Sequence, residues 1–201
     1  MKSELFYLRI HQFDGSIESF VLDDPAAAKT FCQKIEPARL FTQSRIVVAG
    51  ESYKSVFVAS RALRVDFVHS EIKPWQFPGG YLDIVDLTEE EFRKHAHLDE
   101  PELMVKRANG ASVGDLLVSF LELRMVGGVR YFVMAEFPVR LPAENQSFIR
   151  FLLSGGAFHI RLACGGIGIV NLANLVSYTV YPGVKEAPGD TWLGERIAAP
   201  K

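Results

Sequence analysis

Apolar and polar residues alternate near the start of the chain. Phe6, Leu8 and Ile10 interleave with Tyr7, Arg9 and His11. A period of two marks a strand with one buried face. Asp14-Gly15 is a hairpin turn signal, and Ile17, Ser19 and Val21 continue as the return strand. The period then lengthens. Asp24-Pro25 reads as a helix N-cap and first helical position, and Ala27, Phe31 and Ile35 recur every four residues until Pro37 stops the helix. Three further strands are predicted. Arg45–Ala49 is rich in β-branched residues, Gly50-Glu51-Ser52 turns the chain, Lys54–Val58 returns, and 63–68 closes the unit.

The same order of periods recurs in the second half. Leu121, Leu123 and Met125 alternate, Gly127-Gly128 turns, and 130–136 returns. Leu141-Pro142 opens a helix with Phe148, Phe151 and Leu152 on one face, and Gly155-Gly156 ends it. Residues 160–164, 167–170 and 175–181 supply three strands. Pro25, Phe31 and Phe41 recur as Pro142, Phe148 and Phe158 at a constant offset of 117. Val58, Leu63 and Val68 recur as Val170, Leu175 and Val180 at an offset of 112, the difference falling in the longer loop at Gly50-Glu51-Ser52. Tyr131-Phe132-Val133-Met134 is apolar on both faces, as in a strand covered on both sides. The second repeat unit is the expected cover, since a unit of about 65 residues has a marginal core alone.

The predicted fold is therefore α+β, with two tandem related ββαβββ units. Each is a mainly antiparallel sheet with one packed helix. The first unit covers 1–70 and the second 117–183. A connecting segment, 71–116, carries a helix near 88–98, where Thr88 caps an acidic first turn of Glu89, Glu90 and Glu91. Residues 184–201 are predicted to form an irregular tail.

Composition narrows the function. The chain has 201 residues, 48% hydrophobic, with 22 Lys and Arg against 24 Asp and Glu, a net charge of −2. Nucleic-acid binders usually present a basic field, and none is legible here. The residues after Met1 lack the apolar run of a signal peptide, and no stretch has the length of a membrane span. Cys32 and Cys164 have no CxxC spacing and read as thiols in a reducing cytoplasm.

Candidate chemistry is sparse. His95 and His97, beside Asp99 and Glu100, form the one metal-like cluster, but i and i+2 diverge by about 200° on a helix, so a solvated charged face is expected. Gly165-Gly166-Ile167-Gly168 lies between strands, with no helix following, and reads as a hairpin turn rather than a phosphate loop. Glu122 and Glu136 are candidates to face one another across the second hairpin as acid and base, but two exposed edge-strand carboxylates are expected. Pro74-Trp75-Gln76-Phe77-Pro78-Gly79-Gly80-Tyr81 sets three aromatics among prolines and glycines. Trp75, Phe77 and Tyr81 are the candidate binding residues, with an internal hydrophobic strap as the competing reading.

Ile169-Val170-Asn171-Leu172-Ala173-Asn174-Leu175 resembles the Val-Asn-Leu-x-x-Ile stretch of LytTR-type DNA-binding response-regulator domains over about seven residues. That family carries a basic, histidine-bearing segment just before the stretch, where this chain has Ala163-Cys164-Gly165-Gly166. The match is read as local geometry, with Asn171 and Asn174 stabilising a turn through side-chain to backbone bonds. No family is recognised over the whole chain.

The functional expectation is a cytoplasmic, non-enzymatic binding or assembly module. It has no catalytic residues, metal ligands or cofactor, and its partner is another protein or a second copy, not nucleic acid or membrane. The alternative is an enzyme or small-ligand-binding protein with a site in the cleft between the repeats.

Overall fold

A computed structural model of the chain describes residues 5–22, 35–74, 81–100, 116–138 and 152–181, with positions 24, 26, 30, 32, 77, 102 and 103. Its strands are β1 (Tyr7–His11), β2 (Ile17–Val21), β3 (Arg45–Ala49), β4 (Lys54–Val58), β5 (Arg64–Val68), β6 (Asp83–Leu87), β7 (Leu116–Met125), β8 (Arg130–Pro138), β9 (Ala157–Arg161), β10 (Ile167–Asn171) and β11 (Leu175–Tyr181). Its α-helices include α1 (Pro37–Thr42) and α2 (Glu89–His95). Nine strands form one sheet in the order β11-β7-β8-β6-β9-β10-β5-β1-β2, and β3 and β4 form a separate two-stranded sheet.

This order overturns the tandem ββαβββ reading. β5, from the first predicted unit, pairs with β10, from the second. β6, from the connecting segment, sits mid-sheet between β8 and β9. The repeat also equates β4 with β10, yet β4 lies in the small sheet and β10 in the large one. The recurring apolar residues reflect the shared periods of strands that bury one or both faces. Spacing of this kind carries no information about which strands pair. Phe31 and Phe148, the anchors of the two predicted helices, lie outside the described residues.

Much of the local reading holds. The first hairpin pairs Tyr7 with Val21 through to His11 with Ile17, and Asp14 Oδ1 accepts from the Ser16 amide in its turn. Gly165 and Gly166 turn β9 into β10, both at positive φ. Gly166 is fixed there by a close approach, because a Cβ would collide with the Phe67 carbonyl. Thr88 caps α2 in a reciprocal box with Glu91. Positions 26, 30 and 32 are helical and 35 and 36 are not, so the first helix ends before Pro37 as expected, and Pro37 also starts α1. A proline suits the first helical turn, where its missing N–H has no helical partner.

The large sheet is strongly curled. β8 and β1 are five strand steps apart, about 24 Å in a flat sheet. Yet the rings of Tyr131 on β8 and His11 on β1 have centroids 5.8 Å apart. The two hairpin turns also meet, since a Cβ on Gly127 would collide with the Phe13 carbonyl. The inner core holds Leu121, Leu123, Val133, Ile160 and Val170. Outside the curl, α1 and the β3–β4 hairpin cover Phe6, Ile10, Val65 and Ile169 at one end. Phe92 of α2 covers Phe120 and Phe132 at the other. Tyr131-Phe132-Val133-Met134 is thus covered on both faces, by the inner core and by α2 rather than by a second repeat.

Candidate functional site

Among the described residues, charged side chains enter the curl at one place. Arg64 and Asp66 are two apart on β5 and therefore share a face. They are only 5% and 2% exposed. Arg64 Nε donates to Asp66 Oδ1 at 2.5 Å and Nη2 to Oδ2 at 3.1 Å. Across the curl, Nη1 and Nη2 each donate to Asp86 on β6 at 2.8 Å. His11 Nε2 lies 2.9 Å from Asp66 Oδ2. The guanidinium also sits 5.2 Å from the Tyr131 ring centroid.

Arg64 reaches Asp86 because β10 carries glycine opposite Asp66. A Cβ on Gly168 would stand 2.7 Å from Asp66 Oδ1 and 3.0 Å from Arg64 Nε. The bare backbone makes the channel through which the two charged groups meet.

Electrostatics follow from this geometry. Burial pushes the Asp66 carboxyl upward, but the His11 hydrogen bond and the charge and hydrogen bonds of Arg64 outweigh it, so the group is held below its ordinary range. Asp66 is then the ionised acceptor and His11 the donor. Burial pulls Arg64 downward, but Asp66 and Asp86 more than offset it, and the guanidinium is held charged. Burial pushes the Tyr131 phenol up, and its hydroxyl has no hydrogen-bond partner among the described residues. The cluster resembles acid–base machinery in composition. Its guanidinium spends four of its five N–H donors on its own two carboxylates, the arrangement of an internal tie between strands.

The sequence-derived candidates lie elsewhere. Phe77 is buried and stacks on His159, centroids 4.6 Å apart. Tyr81 is buried against Phe137. Trp75 lies outside the described residues. Glu122 and Glu136 do not meet: Glu122 is opposite Phe132 and near Arg130, whereas Glu136 is opposite Val118 and Asp83. His97 pairs with Glu100 and Arg93 with Asp99, and no three potential ligands converge among the described residues. Asn171 accepts from the Ala173 amide and donates to the Ser60 and Ala62 carbonyls, with Asn174 donating to the same two. The stretch resembling a DNA-binding family thus ties β10 and β11 to the loop before β5.

Sequence reasoning missed the buried cluster. Its signal was Arg64-Val65-Asp66, two opposite charges on one face of an otherwise apolar strand.

Two surfaces stand out among the described residues. The outer face of the β3–β4 hairpin leaves Val47, Val56 and Val58 about half exposed, with Val47 directly opposite Val56. Beside it, a groove of about 310 Å³ separates Val21 and Leu22 from Gly50, Glu51 and Tyr53 at the hairpin turn. No known protein family, curated protein or solved structure matches the chain. Among the described residues no helix is long and apolar enough to cross a membrane.

Proposed function

We propose that this chain is a non-enzymatic, cytoplasmic binding or assembly module whose partner is a protein surface. The observation that carries this reading is the outer face of β3–β4. Val47, Val56 and Val58 form a small apolar patch between Arg45 and Lys54, on a hairpin whose other face already packs on the core. An apolar patch rimmed by charge is the usual anatomy of a protein contact. Nucleic acid is not the partner in this reading. Arg130, which would contribute to a basic stripe with Arg124, is held by Glu89. The enzyme alternative placed its site in a cleft between two repeats, and it loses that premise with the tandem repeat.

The test is amine cross-linking through Lys54, in cells that express the chain. Val56→Asp with Val58→Asp alters only exposed side chains. It is expected to leave the thermal midpoint unchanged and to abolish the Lys54 cross-links to protein. Cross-links that persist at full yield in this variant refute the reading.

A further inference from the structure

Among the described residues the large sheet has two outer strands, β2 and β11, and they are not equivalent. β11 carries a bulge between Leu175 and Ser177, an irregularity that blunts an edge against further pairing. β2 runs regularly against β1 over all five residues. Its inward backbone groups are identifiable, because Leu22 donates to Phe6 and Gln12 donates to Ser16. In an antiparallel ladder hydrogen-bonded pairs alternate with non-bonded ones, so the bonded residues on β2 are Glu18 and Phe20. Ile17, Ser19 and Val21 therefore turn their amides and carbonyls outward. Ile17 is 53% and Val21 47% exposed.

From this edge we infer that β2 pairs antiparallel with β2 of a second copy, centred on Ser19. The inference deepens the assembly reading and rests on it. The strand is complementary to itself in that register. Ser19 meets Ser19 of the second copy, and Ile17 meets Val21 on either side of the two-fold axis. All three pairs fall on residues with outward backbone groups, giving about six hydrogen bonds. The two half-exposed aliphatics cover each other on one face, as cross-strand pairs do. Glu18 is drawn back toward β1 by Gln12 Nε2, 2.7 Å from its Oε1, so the charge does not block the edge. The groove beside Val21 leaves room for the incoming strand under the hairpin turn. Two five-residue strands bury far less than the roughly 1,600 Å² of a standard interface, which places the dimer in the transient class, with a Kd of about micromolar.

The experiment is analytical ultracentrifugation of the full chain under reducing conditions, so that exposed Cys164 contributes no disulfide. The expected result is a concentration-dependent shift from the 22.4 kDa chain toward twice that mass. Ser19→Pro removes an outward amide and leaves the β1–β2 ladder intact, as proline is tolerated on an edge. It is expected to weaken the dimer at least about tenfold. Ile17→Lys with Val21→Lys should do the same without touching backbone geometry, which guards against a misfolded proline variant. In a Cys164→Ser background, oxidised Ser19→Cys should form a covalent dimer, because directly opposite Cα atoms lie about 5.5 Å apart. Glu18→Cys should not. A chain that stays monomeric overturns the inference, as does a dimer indifferent to both the Pro and the Lys changes. If such a dimer is instead lost with Val56→Asp, assembly through the hairpin stands and only the β2 register falls.

Discussion

Replacing Arg64 by Met asks how much the buried charges stabilise the curl. Arg64 donates four hydrogen bonds, two to each of two carboxylates on different strands. Methionine spans a similar length without donors or charge. Asp66 then keeps His11 alone while remaining enclosed. Removing one partner of a buried ion pair costs about 3–5 kcal/mol, because the other charge stays desolvated and uncompensated. Asp86 is a quarter exposed at its side chain and regains water, so its share is small. The expected loss is therefore near the lower limit, about 3 kcal/mol. Against a domain stability of about 5–15 kcal/mol, that is a large fraction. Urea unfolding at neutral pH, followed by circular dichroism, measures it.

Two companion measurements separate the causes. A triple variant, Arg64→Met with Asp66→Leu and Asp86→Leu, removes the orphaned charges as well. It should recover most of the loss, since apolar replacements of buried ion clusters are often neutral or stabilising. The pH profile supplies the sign. The folded-state pKa of Asp66 is depressed, so its contribution is present above the unfolded value of about 3.9 and lost as pH falls through the folded one. Without Arg64, burial is opposed by His11 alone and the folded pKa rises. The acid-side loss of stability must then shrink in Arg64→Met. A loss below about 1 kcal/mol, the scale of an exposed pair, would refute the reasoning, and so would an unchanged acid limb.

Two further outcomes follow from the same geometry. Gly168→Ala should destabilise by about 1–3 kcal/mol, because the new methyl meets the carboxylate of Asp66 and the guanidinium of Arg64, neither of which can move without breaking hydrogen bonds; a neutral result in urea unfolding refutes the channel. Thiol titration with Ellman's reagent should label Cys164 rapidly in the native chain and Cys32 only on unfolding, because burial pushes the Cys32 thiol up to about 12; rapid labelling of both counts against the burial of Cys32.

The strands were legible because alternation is a local property. Phe6, Leu8 and Ile10 announce β1 whatever it pairs with. Pairing was not legible, since the sequence separation between Ile167 and Phe67, neighbours in the sheet, leaves no periodic trace. β6 was missed for a different reason. Asp83 and Asp86 flank Ile84 and Val85, so the segment reads as a polar loop with a short apolar centre. Its two carboxylates are tolerated mid-sheet because each has a cation, Arg161 for Asp83 and Arg64 for Asp86. The sequence names those arginines without revealing that they lie opposite.

The buried cluster and the proposed contact surfaces answer to one constraint. A sheet built from distant segments closes only if something specific joins its ends, because side chains of similar volume slide past one another at little cost. Here the inner core is apolar except where Arg64 spans from β5 to β6 and His11 meets Tyr131. Bidentate geometry has one satisfactory arrangement, so it fixes the curl where Leu and Val packing would allow several. Closure also fixes the edges. With β1 drawn in against β8, β2 is left as an outer strand whose backbone pattern is set by the hairpin behind it. If Arg64 sets the curl and β2 pairs with a second copy, Arg64→Met should weaken self-association even though it lies across β1 from that edge. A variant that loses stability yet dimerises with parent affinity would uncouple the two.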